Sequence, residues 1–231
     1  MKKFCLAGVA MFLGICCVFT GCKKDDEDIA ESNPVSKITA SSVQSKSAIN
    51  AAVVKMVSTI PKGNVMAEGE YSGEKFTLNL PETIPAEELQ VLGRPEGLKV
   101  SKSTANFGVV QTISGYDGTG KYVGDFIRGK AESEEASSQE TYWYVDDDVT
   151  ITGKEKYKEE GVSYTDSYNV NLKKGWNIVY ITGGASSNTF TLTTAPKSGL
   201  IWIFVSSTGK SSASAANKTI GGIRPALPLF K

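Results

Sequence analysis

Hydrophobic and polar positions divide the chain into four stretches. An apolar run from Phe4 to Phe19 follows Lys2 and Lys3, and a polar, strongly charged stretch runs from Lys23 to about Lys37, broken at Asn33-Pro34. From Ile38 to Val205 the chain alternates short runs of Thr, Val, Ile, Ser, Gly and aromatic residues, the composition of strands and turns. Beyond Ser206 it turns to Ser, Ala, Gly and Lys and ends in Pro225-Ala226-Leu227-Pro228, which reads as a loose tail.

Within the third stretch the period is mostly two. Ile49, Val53, Met56, Val57 and Ile60 would share one helical face, while Ala51, Val53 and Val57 alternate tolerably as a strand. β-Branching and the following Pro61-Lys62-Gly63-Asn64 turn favour the strand. Val65 to Tyr71 and Phe76 to Leu80 predict a hairpin about Ser72-Gly73-Glu74, with Phe76, Leu78 and Leu80 inward. Thr83 to Leu92 suits one short helical turn. Residues 98–115 and 121–129 predict strands around Tyr116-Asp117-Gly118-Thr119-Gly120, and Glu132 to Gln139 a polar loop. Thr141 to Thr152 reads as one strand. Val162 to Leu172 and Trp176 to Thr182 read as a long hairpin turning at Lys173-Lys174-Gly175, with Gly175 at positive φ. Phe190-Thr191-Leu192 is a further strand. Leu200 to Val205 is apolar on both faces, as expected of a central strand. About ten short strands and no long helix predict an all-β fold, an antiparallel β-sandwich of transthyretin or immunoglobulin type. Residues 38–205 would form it, as one domain or two small subdomains.

The first stretch has signal-peptide architecture: a cationic start, an apolar run shorter than the roughly 20 residues that span a bilayer, and small residues after it. Thr20-Gly21-Cys22 closing that run resembles the lipobox of bacterial lipoproteins, with Phe19 departing from the usual aliphatic residue. The resemblance implies that residues 1–21 are removed and that Cys22 becomes an acylated first residue. Two or three chains, at about 0.8 kcal/mol per buried methylene, anchor more firmly than one. Lys23-Lys24 followed by Asp25, Asp26, Glu27 and Asp28 is similar to the export signal that sends lipoproteins of the Bacteroidota to the outer face of the outer membrane. A solvated tether over residues 22–37 explains the same charges, and an export signal must stay exposed in any case.

Removing Lys2 and Lys3 with the signal leaves 23 basic against 25 acidic residues, a net charge of −2. That gives no basic surplus for nucleic acid. Cys5, Cys16, Cys17 and Cys22 all lie in or beside the signal, and the chain has no histidine. Disulfides, thiol nucleophiles, serine–histidine triads and the usual zinc, copper and iron ligand sets are therefore not expected. No cofactor or metal is expected, and any chemistry would fall to carboxylates.

The phrases Phe76-Thr77-Leu78-Asn79-Leu80-Pro81, Tyr122-Val123-Gly124 and Asn171-Leu172-Lys173-Lys174-Gly175-Trp176-Asn177 resemble uncharacterised lipoproteins of gut Bacteroidota with a transthyretin-like sandwich. The resemblance implies a fold and a location but no activity.

Three groups of residues are candidate sites. Asp146-Asp147-Asp148 are hard oxygen ligands, but consecutive strand residues point to opposite faces and the spacing of a calcium loop is absent, so a solvated turn is expected. In Glu140-Thr141-Tyr142-Trp143-Tyr144-Val145, strand alternation sends Thr141, Trp143 and Val145 to the core. Tyr142 and Tyr144 then face out beside Glu140 and Asp146, an aromatic and carboxylate kit suited to sugars or simply a cross-strand Tyr surface. Trp176 and Trp202 are expected in the core. Glu159-Glu160 and the acids Glu132, Glu134 and Glu135 offer carboxylate pairs for glycoside hydrolysis, but they sit in polar, loop-like segments that do not perturb a carboxylate.

The expected function is that of a non-enzymatic, lipid-anchored binding or accessory module at the outer membrane. It would face the exterior and contact polysaccharide or a surface glycoprotein. A structural or anchor subunit of a fimbria-like assembly is the alternative, and a carboxylate-only hydrolase comes third.

Overall fold

The computed structural model describes residues 34–131, 137–159, 161–184 and 188–207. Among the described residues sixteen strands join into one large mixed sheet that does not close into a barrel. The all-β expectation holds. The two proposed export and lipidation stretches, residues 1–28, and the C-terminal tail lie outside the described residues.

The first strands enclose one hydrophobic core. Lys37–Ala40 (β1) pairs with Lys75–Asn79 (β5), and Val65–Ser72 (β4) pairs with both β5 and Val53–Val57 (β3). Val43–Gln44 (β2) lies between β1 and β3 in the chain. The predicted hairpin forms, with Tyr71 opposite Phe76. Gly73 and Glu74 take φ of +57° and +62°, the type I′ geometry whose twist matches paired strands. Phe76, Leu78 and Leu80 point inward and are buried. The ambiguous stretch 49–60 forms a strand, and the short helical turn expected within Thr83 to Leu92 is a 3₁₀ turn at Ala86–Glu88.

Next come the short strands Gln90–Val91 (β6), Leu98–Val100 (β7) and Asn106–Val110 (β8). Ile113–Tyr116 (β9) and Tyr122–Ala131 (β10) form the hairpin expected around Asp117, whose Oδ1 accepts from Thr119 N at 2.9 Å and Lys121 N at 3.0 Å. Phe126 of β10 centres the first core, with ring centroids 5.0 Å from Tyr71, 5.3 Å from Phe76 and 4.8 Å from Phe204.

Ser137–Val145 (β11) is the partition of the molecule, and all nine of its positions are buried. Gly175–Gly184 (β14) runs beside it over its whole length. Tyr142 and Tyr144 on β11 and Trp176 on β14 pack into the first core. On the opposite face, Trp143, Val145, Val179 and Ile181 pack into a second core with Phe107, Ile151, Val170, Leu172 and Leu192. This overturns the outward placement of Tyr142 and Tyr144. Alternation correctly assigns them to the face opposite Trp143, but the β1–β5 layer covers that face, and they are 3% and 2% exposed. β11 also begins at Ser137, inside the stretch read as a polar loop, and ends at Val145, so the predicted strand 141–152 is two strands divided at Asp146.

The second core is closed by Val149–Glu159 (β12), Val162–Leu172 (β13) and Thr189–Thr193 (β15). Here the predicted hairpin of residues 162–172 with 176–182 does not form. β15 lies between those strands, antiparallel to β14 and parallel to β13, while β13 pairs with β12. Asn177 explains how the two strands diverge directly after a tight turn. It is fully buried, its Oδ1 accepts from Lys173 N at 2.9 Å, and its Nδ2 donates to Lys173 O at 2.7 Å and Gly175 O at 2.8 Å. Asn171 N donates to Thr194 Oγ1 at 3.2 Å. Side chains thus satisfy backbone groups that a hairpin ladder would otherwise have paired. Gly175 takes φ +100°, as the turn predicted.

Ile201–Ser206 (β16) pairs antiparallel with β10 and, over two residues, parallel with β2. It is not the doubly buried strand expected. Trp202 and Phe204 enter the first core, but Ile201 is 41% exposed. The strand buried from both sides is β11, whose more polar sequence conceals the fact.

Candidate functional site

The site follows from the register of one hairpin. β12 and β13 pair over eleven positions, from Val149 with Leu172 to Glu159 with Val162. That register sets Glu155 directly across from Asp166, Tyr157 across from Tyr164, and Gly153 across from Tyr168. Strand alternation sends these residues to the same face as the core residues Ile151, Val170 and Leu172. Lys154, Lys156 and Lys158 alternate onto the opposite face and are exposed. The hairpin therefore carries its carboxylates inward and its lysines outward.

Asp166 is 1% exposed and Tyr168 4%. Phe190 and Leu192 of β15 pair beside them in register and supply an apolar wall. Burial pushes the Asp166 carboxyl up to about 7; the charge of Glu155 adds to the rise and the Tyr157 hydroxyl opposes it. Burial also raises Glu155. The Tyr157 hydroxyl donates weakly to both Asp166 oxygens at 3.4 Å. The rings of Tyr157 and Tyr164 stack at 5.5 Å with an interplanar angle of 14°, half-buried at the outer end of the group. Two atoms inside the cluster, Tyr168 Oη and Glu155 Oε2, are buried without a hydrogen-bond partner. Burial raises the Tyr168 phenol, and the charges of Asp166 and Glu155 raise it further, which places its hydroxyl within their field. Two carboxylates, an unpaired phenol and a stacked pair of rings can bind a cation or the hydroxyls and ring faces of a polar ligand.

The acids picked out by sequence do other work. Asp146, Asp147 and Asp148 form the turn between β11 and β12, and each holds a different segment. Asp146 accepts from Asn106 N at 2.8 Å and Asn106 Nδ2 at 2.7 Å. Asp147 pairs with Lys102, and Asp148 accepts from Lys174 N at 2.9 Å. The Lys174 backbone bond, ahead of the Lys173 charge, holds the exposed Asp148 carboxyl below the usual range. The carboxylates point to three partners and do not converge.

Tyr142 belongs to a buried polar tie. Its hydroxyl donates to Glu140 Oε2 at 3.3 Å, and Arg128 Nη1 lies 3.2 Å from Glu140 Oε1. Glu140 is 3% exposed, and burial raises its carboxyl against the opposing effects of Arg128 and Tyr142. Tyr144 packs edge-on to Trp176 at 5.5 Å. Trp176 and Trp202 are core residues, each anchoring its indole N–H on a backbone carbonyl, that of Pro81 at 3.0 Å and that of Thr39 at 3.2 Å.

Glu159 ends β12, while Glu160, Glu132, Glu134 and Glu135 lie outside the described residues. So do Cys22 and the run Lys23, Lys24, Asp25, Asp26, Glu27 and Asp28. Among the described residues no three acidic, histidine or cysteine side chains gather as a metal set. The Glu155–Asp166 pair was open to sequence reasoning. The register that sets Glu159 against Val162, followed four residues along each strand, brings the two acids together.

Comparison with known proteins adds no relative: the chain matches no family model, no curated protein and no solved structure.

Proposed function

We propose that this chain is a lipid-anchored, non-enzymatic binding module held at the outer membrane and facing outward. Its ligand is a glycan or glycoprotein, and its fold is a sandwich of transthyretin-like type distributed over two cores. Anchor and address rest on Cys22 and the charged run after it. The ligand class rests on one observation: the half-buried, stacked Tyr157–Tyr164 pair beside the half-buried Glu155. This is the combination of ring faces and acceptors first sought at Tyr142 and Tyr144, which are too buried to supply it. Turnover by these acids is disfavoured, because Asp166 is almost closed to solvent.

A glycan array tests the ligand. Tyr157→Ala and Tyr164→Ala remove one ring each, and the affinity of any glycan bound by wild type should fall about tenfold, the share that one stacking contact of 1–2 kcal/mol supplies. Unchanged binding by folded variants would refute the assignment.

The open edge of the same hairpin favours a second reading, a subunit of a fimbria-like assembly. β7 covers β12 at Ile151, Thr152 and Gly153. Among the described residues, no strand pairs with that side of 155–159. A donated strand could extend the sheet there, with the exposed lysines guarding the edge until a partner arrives. High-molecular-weight ladders on unboiled gels would favour it.

A further inference from the structure

We propose that Glu155, Asp166 and Tyr168 form a calcium-binding site between β12 and β13. Each of the three contributes oxygen on the same face of one hairpin, and the register leaves no freedom in which residues meet. Like charges directly opposite across an antiparallel pair destabilise it unless something neutralises them. Burial makes that cost larger, since a desolvated carboxylate requires a counter-charge, a proton or a metal.

The hairpin supplies no counter-charge to that face. Its lysines alternate outward, Phe190 and Leu192 wall the cluster from β15, and the titratable neighbours among the described side chains are the phenols of Tyr157 and Tyr164. The independent sign of a ligand is Tyr168. It is 4% exposed, and its hydroxyl has no partner though it sits in the field of both acids. Glu155 Oε2 is likewise buried and unpaired. An unsatisfied buried polar group costs about 1–3 kcal/mol, so an ion that ligates both oxygens relieves both.

Charge and chemistry select the ion. Two carboxylates and a neutral phenol balance a divalent cation. All the donors are hard oxygens; the chain has no histidine, and no cysteine stands among the described residues to offer the soft ligand that favours transition metals. Calcium accepts irregular sets of carboxylate, neutral oxygen and water, whereas magnesium demands a near-octahedral shell and sheds its waters reluctantly. Whether or not the stacked tyrosines contact sugar, the ion would neutralise the acids beneath them.

The test uses the full mature chain, acylated, in detergent and stripped with chelator. Terbium is the probe, because nearby phenols sensitise its emission, with calcium as the competitor. Wild type should give saturable emission that calcium displaces, and calcium should raise its melting temperature. Asp166→Asn should weaken calcium binding by about tenfold or more, through loss of one of two charged ligands. Glu155→Gln should do the same and stands in if the first variant fails to fold. Two outcomes overturn the proposal: emission that survives both substitutions, which would assign the metal to the acidic N-terminal run, and the absence of any calcium effect on emission or melting. In the second case the pair holds a shared proton only.

Discussion

Glu155 and Asp166 face each other across the β12–β13 ladder with no basic side chain of the hairpin on their side. A paired strand rarely tolerates this arrangement, and here it is set beneath Tyr157 and against Phe190. The consequence for folding has a definite sign. The folded-state Asp166 carboxyl sits near 7, above its unfolded value of about 4. The folded chain therefore holds this proton more tightly than the unfolded chain. The stabilisation is fully present below about pH 4 and is lost as pH rises through 7, in all about 4 kcal/mol. In chelator, urea midpoints should fall between pH 4 and pH 8, and Asp166→Asn should flatten that slope. A wild-type midpoint independent of pH would contradict the burial of a charged pair.

Asn177 sets the fork between β13 and β14. Asn177→Leu keeps the volume but strands the Lys173 N–H and the carbonyls of Lys173 and Gly175. The expected loss is about 3 kcal/mol, from more than one buried group left unpaired. Chemical denaturation measures it, and a loss under 1 kcal/mol would mean that water replaces the side chain.

Trp143 is fully buried in the second core and donates from Nε1 to Thr141 Oγ1 at 3.1 Å. Trp143→Ala should cost about 3–5 kcal/mol. Tyr142→Ala and Tyr144→Ala should also destabilise, by about 2–4 kcal/mol, because they face the first core. Any ligand affinity they lose would then follow the unfolded fraction. If instead these tyrosine variants melt like wild type, the partition role of β11 is wrong.

The Arg128–Glu140 pair ties β10 to β11. Arg128→Met removes the cation that offsets a buried carboxylate and should cost about 3 kcal/mol near neutral pH. Adding Glu140→Gln should recover most of the loss, since both charges are then gone. A double-mutant cycle on thermal or urea stability reads the coupling directly, and additive losses would show that the pair does not interact.

Sequence revealed what is local. The Gly73 and Asp117 turns, the inward Phe76-Leu78-Leu80 row and the strand at Val53–Val57 all follow from period and turn chemistry within a few residues. Strand order is not local. Nothing between Leu172 and Trp176 announces that β15 will lie between the strands on either side. The signal that was present, a polar Asn two residues past the turn glycine, reads equally as a surface residue. β11 misled for a related reason. Its alternation of Thr-Trp-Val with Glu-Tyr-Tyr looks half-polar, and only the first core, built largely from residues 38–84, buries the Glu-Tyr-Tyr face. The site was within reach, because hairpin register is local; what sequence could not give is that β15 would wall it from water.

Outward display is the claim on which the binding account depends, and proteinase K shaving of intact cells tests it most directly. The cells carry a C-terminally tagged copy, a Cys22→Ala control and an intact periplasmic marker. The account predicts that the tag disappears from whole cells while the marker survives, and that Cys22→Ala abolishes surface retention. Protection of the tag until the cells are lysed would contradict it: the acidic run would be only a tether, and the partner would lie inside the envelope.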